Sequence, residues 1–185
     1  DFSCVATMKV QGATSAGYVK KNYTVKFYRD ETLARRKNVD FGWGKESKYC
    51  MKANYVDSSH ARNIVGARLA AQVTASRSEV PYGLTGAPNY GLIDGFPILV
   101  YVNGNFHGLY TMNIPKDNWQ FGMNKDAGEK QAILMGGAWR SCVRLEKLIG
   151  TEGPAHYGLE IEHCSTEDED WIIESFNNLI RVLCA

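Results

Sequence analysis

Two short clusters of residues in this 185-residue sequence are of types that could form a functional site, and the first could contact a phosphate group. The first is a run of small residues from Gln11 to Ser15, which Lys20 and Lys21 follow. Small residues after a strand let backbone N–H groups approach an anion, and a lysine on a strand can contact phosphate oxygens. A solvated turn followed by lysines on an edge strand has the same pattern, so this cluster alone leaves both interpretations open.

The second cluster lies at the entrance of a predicted helix and contains Asp57, His60, Arg62 and Asn63. Asp57 has a side chain suited to a helix N-cap, and it could also pair with Arg62 in the first turn. The cluster is therefore either part of a polar site or a capped helix start with a surface ion pair.

Motifs of other well-defined sites are absent from the sequence. It contains no G-x-x-x-x-G-K-[ST] loop, no strand-linked G-x-G-x-x-G, no G-x-S-x-G elbow and no H-E-x-x-H pair. The four histidines have no metal-ligand spacing, and the five cysteines form no C-x-x-C pair. We therefore predict no metal site on these residues, and we expect free, mostly buried thiols.

The composition is that of a chain with a packed core. Hydrophobic residues make up 44% and charged residues 22%, which argues against disorder. Lys plus Arg number 21 and Asp plus Glu number 20, so bulk charge gives no reason to expect a nucleic-acid partner. The longest apolar run, Phe96 to Val102, is far shorter than the roughly 20 residues that span a bilayer, so we predict no membrane insertion.

The elements that must position the first cluster are predicted to be strands. Three segments show extended or alternating apolar patterns: Val5 to Gln11, Tyr23 to Tyr28 and Tyr49 to Ala53. The polar stretch between the last two contains Asp30, Arg35, Arg36, Lys37 and Asn38 and then Gly42-Trp43-Gly44, and it is predicted to be a loop or excursion.

A change of period predicts a helix over residues 57–77, which would position the second cluster. Its apolar residues recur every four positions, at Ala61, Val65, Leu69 and Val73, with Ile64 beside them. Such a stripe is typical of the face that a helix packs against a core.

After a Pro- and Gly-rich loop over residues 81–94, a hairpin is predicted with Asn103-Gly104 as its turn. Asn-Gly tolerates the positive φ that both central positions of a type I′ turn require. Its strands are Pro97 to Val102 and Asn105 to Asn113.

The last third is less regular. Lys116 to Met123 could begin a helix anchored by Trp119 and Phe121, and three segments are weaker strand candidates: Gln131 to Met135, Cys142 to Leu145 and Leu159 to Glu162.

An amphipathic helix closes the chain. Thr166 and Glu169 match a capping box, and an apolar stripe follows at Ile172, Phe176, Leu179 and Leu183. The acidic run Glu167 to Asp170 is where carboxylates favour a helix dipole, so it is interpreted as structural. No Gly or Pro ends this helix, so we expect the natural polypeptide to continue.

Three blocks of the sequence together resemble the spore-coat protein H (CotH) kinase family. They are MKVQGATSAGYVKKNYTVKFY, KYCMKANYVDSSHARNIVGARL and GLIDGFPILVYVNGNFHGLYTMNIPKDNW, which occur in the family's order between Met8 and Trp119. The family carries a Gly-small-Ser segment before a Lys-Lys-aromatic strand. It then has a strand leading to Asp and a helical Arg-Asn, and an Asn-Gly hairpin that ends in a Gly-Leu-Tyr strand.

This resemblance implies an α+β fold, namely an atypical protein-kinase-like N-lobe of an antiparallel sheet plus one long helix, followed by the start of a C-lobe. Residues 1–115 would form the N-lobe, and residues 116–185 would begin a C-lobe that is cut short. The resemblance also implies ATP and Mg²⁺ or another divalent metal as cofactors of the whole protein, and Ser or Thr of a protein partner as phosphate acceptor.

Site residues follow from the resemblance position by position. Residues 12–15, with Gly12 and Ser15 at the ends, would form the phosphate-side loop, and Lys21 or Lys20 would contact phosphate. Asp57, Arg62 and Asn63 would be the polar signature of the regulatory helix. Residues 110–114, which include Asn113, would form the hinge beside the adenine.

Two departures limit what the resemblance implies. Asn113 stands where many family members have Glu, and no match to the family's catalytic Asp or acidic metal motif follows Trp119. A kinase needs carboxylates that bind Mg²⁺ and orient the hydroxyl, so the catalytic residues stay unassigned and the fragment alone is expected to be inactive.

Two other classes of function remain open. The first is a non-catalytic structural or binding module of a spore coat, cell surface or virion assembly, where a surface rich in Tyr and Trp could serve for docking. The second is an unrelated α+β carbohydrate-binding or adhesion domain.

Overall fold

A computed structural model describes residues 2–80, 82–123, 130–136 and 148–184. The chain divides into two compact units, Asp1–Gly122 and Met123–Ala185. The predicted strand from Cys142 to Leu145 lies outside the described residues, and the predicted lobe boundary between residues 115 and 116 stays a prediction.

The first unit is built on one five-stranded antiparallel sheet. In chain order, the strands of this unit are β1 (Val5–Gln11), β2 (Asn22–Tyr28), β3 (Val39–Asp40), β4 (Lys45–Glu46), β5 (Lys48–Lys52), β6 (Gly95–Val102) and β7 (Asn105–Asn113). The sheet has the order β1-β2-β5-β7-β6, while β3 and β4 form a separate small hairpin. The predicted α+β class and the three predicted N-terminal strands are therefore confirmed.

The core of this unit lies on the face of the sheet that carries the alternating aromatic residues of β2 and β5. Its buried residues are Val25, Phe27, Tyr49, Met51, Ala53 and Tyr110. The hydroxyl of Tyr49 donates to the carbonyl oxygen of Val39 at 2.7 Å, which fixes the β3–β4 hairpin to the core. Burial, with the nearby carboxylates of Glu46 and Asp40, raises the pKa of Tyr49 well above its usual value.

The Asn103-Gly104 hairpin is confirmed. Asn103 has φ of 50° and Gly104 has φ of 79°, as a type I′ turn requires. Pairing from Gly95 opposite Asn113 to Val102 opposite Asn105 joins β6 and β7, with an irregularity between Val100 and Tyr101.

The predicted helix forms as α1 (Arg62–Ala75). The prediction of which face of this helix packs against the core is wrong. Val65, Leu69 and Val73 are 60%, 61% and 54% exposed, whereas Ile64 and Ala71 are 8% and 4% exposed. The reason is a polar anchor at Arg68, which shares the face of Ile64 and Ala71. Its guanidinium donates to Asp94 Oδ1 at 2.7 Å and to the carbonyl oxygen of Gly95 at 3.0 Å, so this face turns toward the sheet.

In the described part of the predicted loop, residues 82–94, the structure has short helical turns, α2 (Tyr82–Thr85) and a 3₁₀ turn at Pro88–Gly91. The helix expected from Lys116 does not form, and residues 118–122 are successive turns. Asp117 Oδ1 accepts from the backbone N–H of Trp119 at 3.1 Å, a side-chain bond that favours a turn over a helix interior. Trp119 still anchors the segment, with its ring 6.1 Å from that of Tyr49.

The second unit contains β8 (Ala132–Gly136), β9 (Leu159–Cys164) and α3 (Asp170–Leu183) in the described ranges. The β8–β9 pairing confirms two of the weaker strand predictions. The buried face of α3 differs from the predicted stripe, because Leu179 and Leu183 are exposed and Asn177 is buried. Asn177 exchanges two hydrogen bonds with the backbone of Ile149, at 2.7 and 2.9 Å, and this pairing orients the helix.

The start of α3 also differs from the prediction. Glu169 is the N-cap residue but makes no side-chain cap, so the Thr166–Glu169 capping box is wrong. Thr166 Oγ1 instead donates to the carbonyl oxygen of Asp168 and accepts from Trp171 Nε1. None of the helices in the described ranges has the length and apolarity needed to cross a bilayer.

Candidate functional site

The predicted phosphate-side loop connects β1 to β2 at one end of the sheet. It contains a 3₁₀ turn at Thr14–Gly17 and is held by Asn22, the first residue of β2. Asn22 Nδ2 donates to Ser15 Oγ at 3.2 Å, and Asn22 Oδ1 accepts from the backbone N–H of Ala53 at 2.7 Å. The amide of Asn22 therefore ties the loop to the residue that follows β5.

Gly12 has φ of 110°, a conformation that side-chain-bearing residues rarely adopt. A Cβ at this position would overlap the hydroxyl oxygen of Ser15. The glycine is thus required by the fold of the loop itself, whatever the loop binds.

Lys20 and Lys21 differ in how far the backbone engages their ammonium groups. Lys20 Nζ donates to the carbonyl oxygens of Ala53, at 3.0 Å, and Leu109, and it lies 4.5 Å from the ring centroid of Tyr110. Burial lowers the pKa of Lys20. Lys21 Nζ donates to the carbonyl oxygen of Ala16 at 2.7 Å, a bond that closes the loop.

Asp57 lies in the turn before α1 and is not its N-cap residue, which is Ala61 and makes no side-chain cap. Asp57 Oδ2 accepts from the backbone N–H of Arg62 at 3.0 Å, and Oδ1 accepts from Ser59 Oγ at 2.7 Å. The hydrogen bond from Ser59 is the main cause that lowers the pKa of Asp57. Arg62 Nε lies 3.6 Å from Asp57 Oδ1, and the Arg62 side chain is 74% exposed. Asn63, next to Arg62, is also exposed.

The predicted site residues come together only in part. Asn54 Nδ2 donates to Thr111 Oγ1 at 3.1 Å and to the carbonyl oxygen of His60 at 3.4 Å, so the entrance to α1 is tied to β7. Asn113 lies four residues beyond Leu109 on β7, which places it roughly 13 Å along the strand from the carbonyl that Lys20 contacts. The loop and lysines lie at one end of the sheet, and Asn113 is not with them.

Asn113 is buried between its partners Cys50 on β5 and Gly95 on β6. Its Oδ1 atom is buried without a hydrogen-bond partner among the described residues. The neighbouring Ile114 donates its backbone N–H to the carbonyl oxygen of Asp94 at 3.0 Å. Residues 110–113 of the predicted hinge therefore belong to β7, and Ile114 directly follows the strand.

Asp94 is a polar centre that the sequence reasoning missed. Its Oδ1 accepts from Arg68 Nε and from the backbone N–H of Gly95, both at 2.7 Å, and its Oδ2 accepts from Trp43 Nε1 at 2.9 Å. The carboxylate thus joins α1, β6 and the segment before β4. A carboxylate placed directly before an apolar strand was the available signal, but its partners are distant in sequence.

No known protein family and no curated protein matches this chain. Within the described ranges, no group of three His, Cys, Asp or Glu side chains could hold a metal ion. The divalent metal that the CotH resemblance implies belongs to the whole protein and stays a prediction.

Proposed function

We propose that the first unit is the nucleotide-side lobe of a CotH-like atypical protein kinase, which transfers phosphate from ATP to Ser or Thr of a protein partner. The observation that carries the proposal is the order of elements in one sheet. Strands β1, β2 and β5 precede α1, and the β6–β7 hairpin follows it, in a single antiparallel sheet. This is the order in which the three resembling blocks occur.

The placement of the loop supports the proposal. Hydrogen bonds at one end of the sheet hold the Gly12–Ser15 segment, both lysines and Ala53. Ala53 lies four residues before Asp57 in the chain. Phosphoryl transfer depends chiefly on positioning and on charge neutralisation, so a fixed loop beside a cation is the feature required.

Lys21 is the better candidate for contact with phosphate. An ammonium has three N–H donors. Lys20 uses two on carbonyl oxygens, whereas Lys21 uses one, on Ala16. Lys21 therefore keeps two donors for an anion, and Lys20 acts mainly as a structural tie.

No catalytic residue is assigned. ATP, when bound, supplies the transferable phosphoryl group, and the chain's own contribution is to hold the phosphates with Lys21 and the loop.

A second candidate function is a non-catalytic binding module of a spore coat, cell surface or virion assembly. The observation that favours it is that Lys20, Asn22 and Asp57 are satisfied by the protein's own groups. These groups therefore need no ligand to complete the hydrogen bonds named here.

Calorimetric titration with ATP separates the two. The chain is expected to bind ATP, and Lys21→Ala is expected to weaken binding about tenfold, or about 1.4 kcal/mol. Lys9→Ala, which removes an exposed lysine from β1, is the matched control and should leave affinity unchanged. Equal affinities of the two variants would remove the assignment of Lys21, and no ATP binding by the parent chain would favour the binding module.

A further inference from the structure

The segment between β2 and β5 folds back along the end of β2. The backbone N–H of Arg29 donates to the carbonyl oxygen of Arg35, and that of Lys37 donates to the carbonyl oxygen of Phe27, both at 3.0 Å. An antiparallel bridge pairs Tyr28 with Arg36. Arg29 is thereby fixed close to Arg36 and Lys37, from which it is separated along the chain.

The β3–β4 hairpin brings a fourth basic residue to the same place. Asp40 Oδ1 accepts from the backbone N–H groups of Gly42, at 2.8 Å, and Gly44, at 3.1 Å, which closes the turn. Lys45 follows this turn and pairs with Asp40 across the hairpin. The bond from Tyr49 to Val39 ties the hairpin to the core, so the position of Lys45 is set by the fold.

These residues line an open cavity of about 590 Å³. Its lining consists of Arg29, Arg36, Lys37, Asn38 and Lys45. This volume lies within the range of small-molecule sites, roughly 300–1,000 Å³. The lining carries four positive charges and no carboxylate.

In the same segment, Asp30, Asp40 and Glu46 accept hydrogen bonds within their own turns, and the exposed Glu31 is not among the residues that line the cavity. Asp30 Oδ1 accepts from the backbone N–H of Thr32 at 3.0 Å, and hydrogen bonds from Thr32 lower the pKa of Asp30. Asp40 closes its turn, and Glu46 Oε1 accepts from the backbone N–H of Lys48 at 3.1 Å. Among the described residues, none of the four cavity cations lies in an ion pair with Asp or Glu.

Two of the four cations are held in place by contacts that leave their charge intact. The Arg36 guanidinium lies 4.4 Å from the ring centroid of Tyr28. Lys37 Nζ donates to the carbonyl oxygen of Ser3 at 2.8 Å and lies over the ring of Phe2. Arg29 and Lys45 are exposed at the cavity wall.

We propose that this cavity binds a compact polyanion that carries two or more phosphate groups. Four like charges held around one space repel each other, and a multiply charged oxyanion removes that repulsion. Arginine offers paired N–H donors that match phosphate oxygens, and lysine adds a mobile charge. The source of the phosphates is either a free oligophosphate or a phosphorylated protein segment, which share this chemistry.

The cavity is separate from the nucleotide site proposed above. Strand β2 runs from Asn22 at the loop end to Tyr28 at the cavity end. Its seven residues span roughly 20 Å. The inference therefore does not depend on the kinase assignment.

The test is calorimetric titration of the chain at about 150 mM salt, where the Debye length is about 8 Å and long-range attraction is screened. The ligands are tripolyphosphate, a doubly phosphorylated peptide and the same peptide without phosphate. The variant is Arg29→Gln/Lys45→Gln, and the matched control is Lys9→Gln/Arg77→Gln, which removes two exposed positive charges elsewhere.

We expect the cavity variant to weaken binding of tripolyphosphate, of the phosphorylated peptide, or of both at least about tenfold, while the control variant binds them like the parent chain. Thermal melting should be unchanged in the cavity variant. Binding of only the peptide or only tripolyphosphate identifies the source. Equal losses in the cavity variant and the control, or no binding of either phosphate ligand by the parent chain, would overturn the proposal.

Discussion

The two ends of strand β2 both carry basic residues, but those residues have different partners. At the loop end, Lys20 and Lys21 donate to backbone carbonyl oxygens of the protein itself. At the other end, Arg29 and Lys45 line a cavity whose wall contains no carboxylate. The loop end is built mainly from the protein's own hydrogen bonds, whereas the cavity end presents charge to solvent.

This difference shows that a lysine or arginine can bind a ligand only when the protein's own carbonyl oxygens leave its N–H donors free. Nearness to a glycine-containing loop does not decide this. A lysine that satisfies two buried carbonyls adds stability and is poorly placed to meet a ligand. The tests that follow compare the two ends of β2 directly.

The largest expected difference in stability between the two ends of β2 comes from replacing their lysines, Lys20 and Lys45. Lys20→Met keeps the aliphatic chain but leaves the carbonyl oxygens of Ala53 and Leu109 without the donor, which should lower the free energy of unfolding by about 2 kcal/mol. Lys45→Met, at the other end, is the matched control and should change it by less than about 0.5 kcal/mol. Urea denaturation measures both, and equal losses would mean that the two ends do not differ.

A smaller difference in stability is expected between alanine substitutions at two glycines that have similar φ angles. Gly12, with φ of 110°, and Gly42, with φ of 98°, would both be strained by a side chain, at a cost of about 1–3 kcal/mol each. Only at Gly12 does the added Cβ meet another atom, the Ser15 hydroxyl. Gly12→Ala should therefore be less stable than Gly42→Ala by about 1 kcal/mol. If Gly42→Ala is the less stable of the two in thermal melting, the loop is packed differently.

The smallest effect of a single substitution is expected at Val65 on helix α1, where the same question applies to apolar residues. Val65→Asp should change the free energy of unfolding by less than about 0.5 kcal/mol, because Val65 faces solvent. Ile64→Asp is the neighbouring control and should unfold the first unit, since it buries a charge. A Val65→Asp chain that melts many degrees lower would restore the buried stripe that the four-residue period predicted.

Local patterns were sufficient for the strands and the hairpin. Alternation in Tyr23 to Tyr28 and the Asn103-Gly104 turn depend on side chains close in sequence, and both predictions are confirmed. The buried face of α1 was not predictable in this way. Val65 and Leu69 are as apolar as Ile64, and the choice between the faces rests on Arg68 reaching Asp94 across 26 positions.

The cavity could not be predicted from the sequence for a similar reason. The sequence indicated a polar excursion between β2 and β5, and its basic residues had no periodic pattern. Their convergence depends on the Tyr28–Arg36 bridge and on the β3–β4 hairpin, which only the folded chain reveals. At the loop end, the pattern located the lysines but gave no information about the carbonyl oxygens that bind them.

The most direct test of the kinase assignment is ATP titration of Arg29→Gln/Lys45→Gln, because ATP is itself a polyphosphate and could enter the cavity. If the loop end of β2 binds nucleotide, this variant retains ATP binding, adding Lys21→Ala weakens it about tenfold, and tripolyphosphate gives no comparable heat. An Arg29→Gln/Lys45→Gln chain that no longer binds ATP would contradict the account, because all nucleotide binding would then come from phosphates in the cavity.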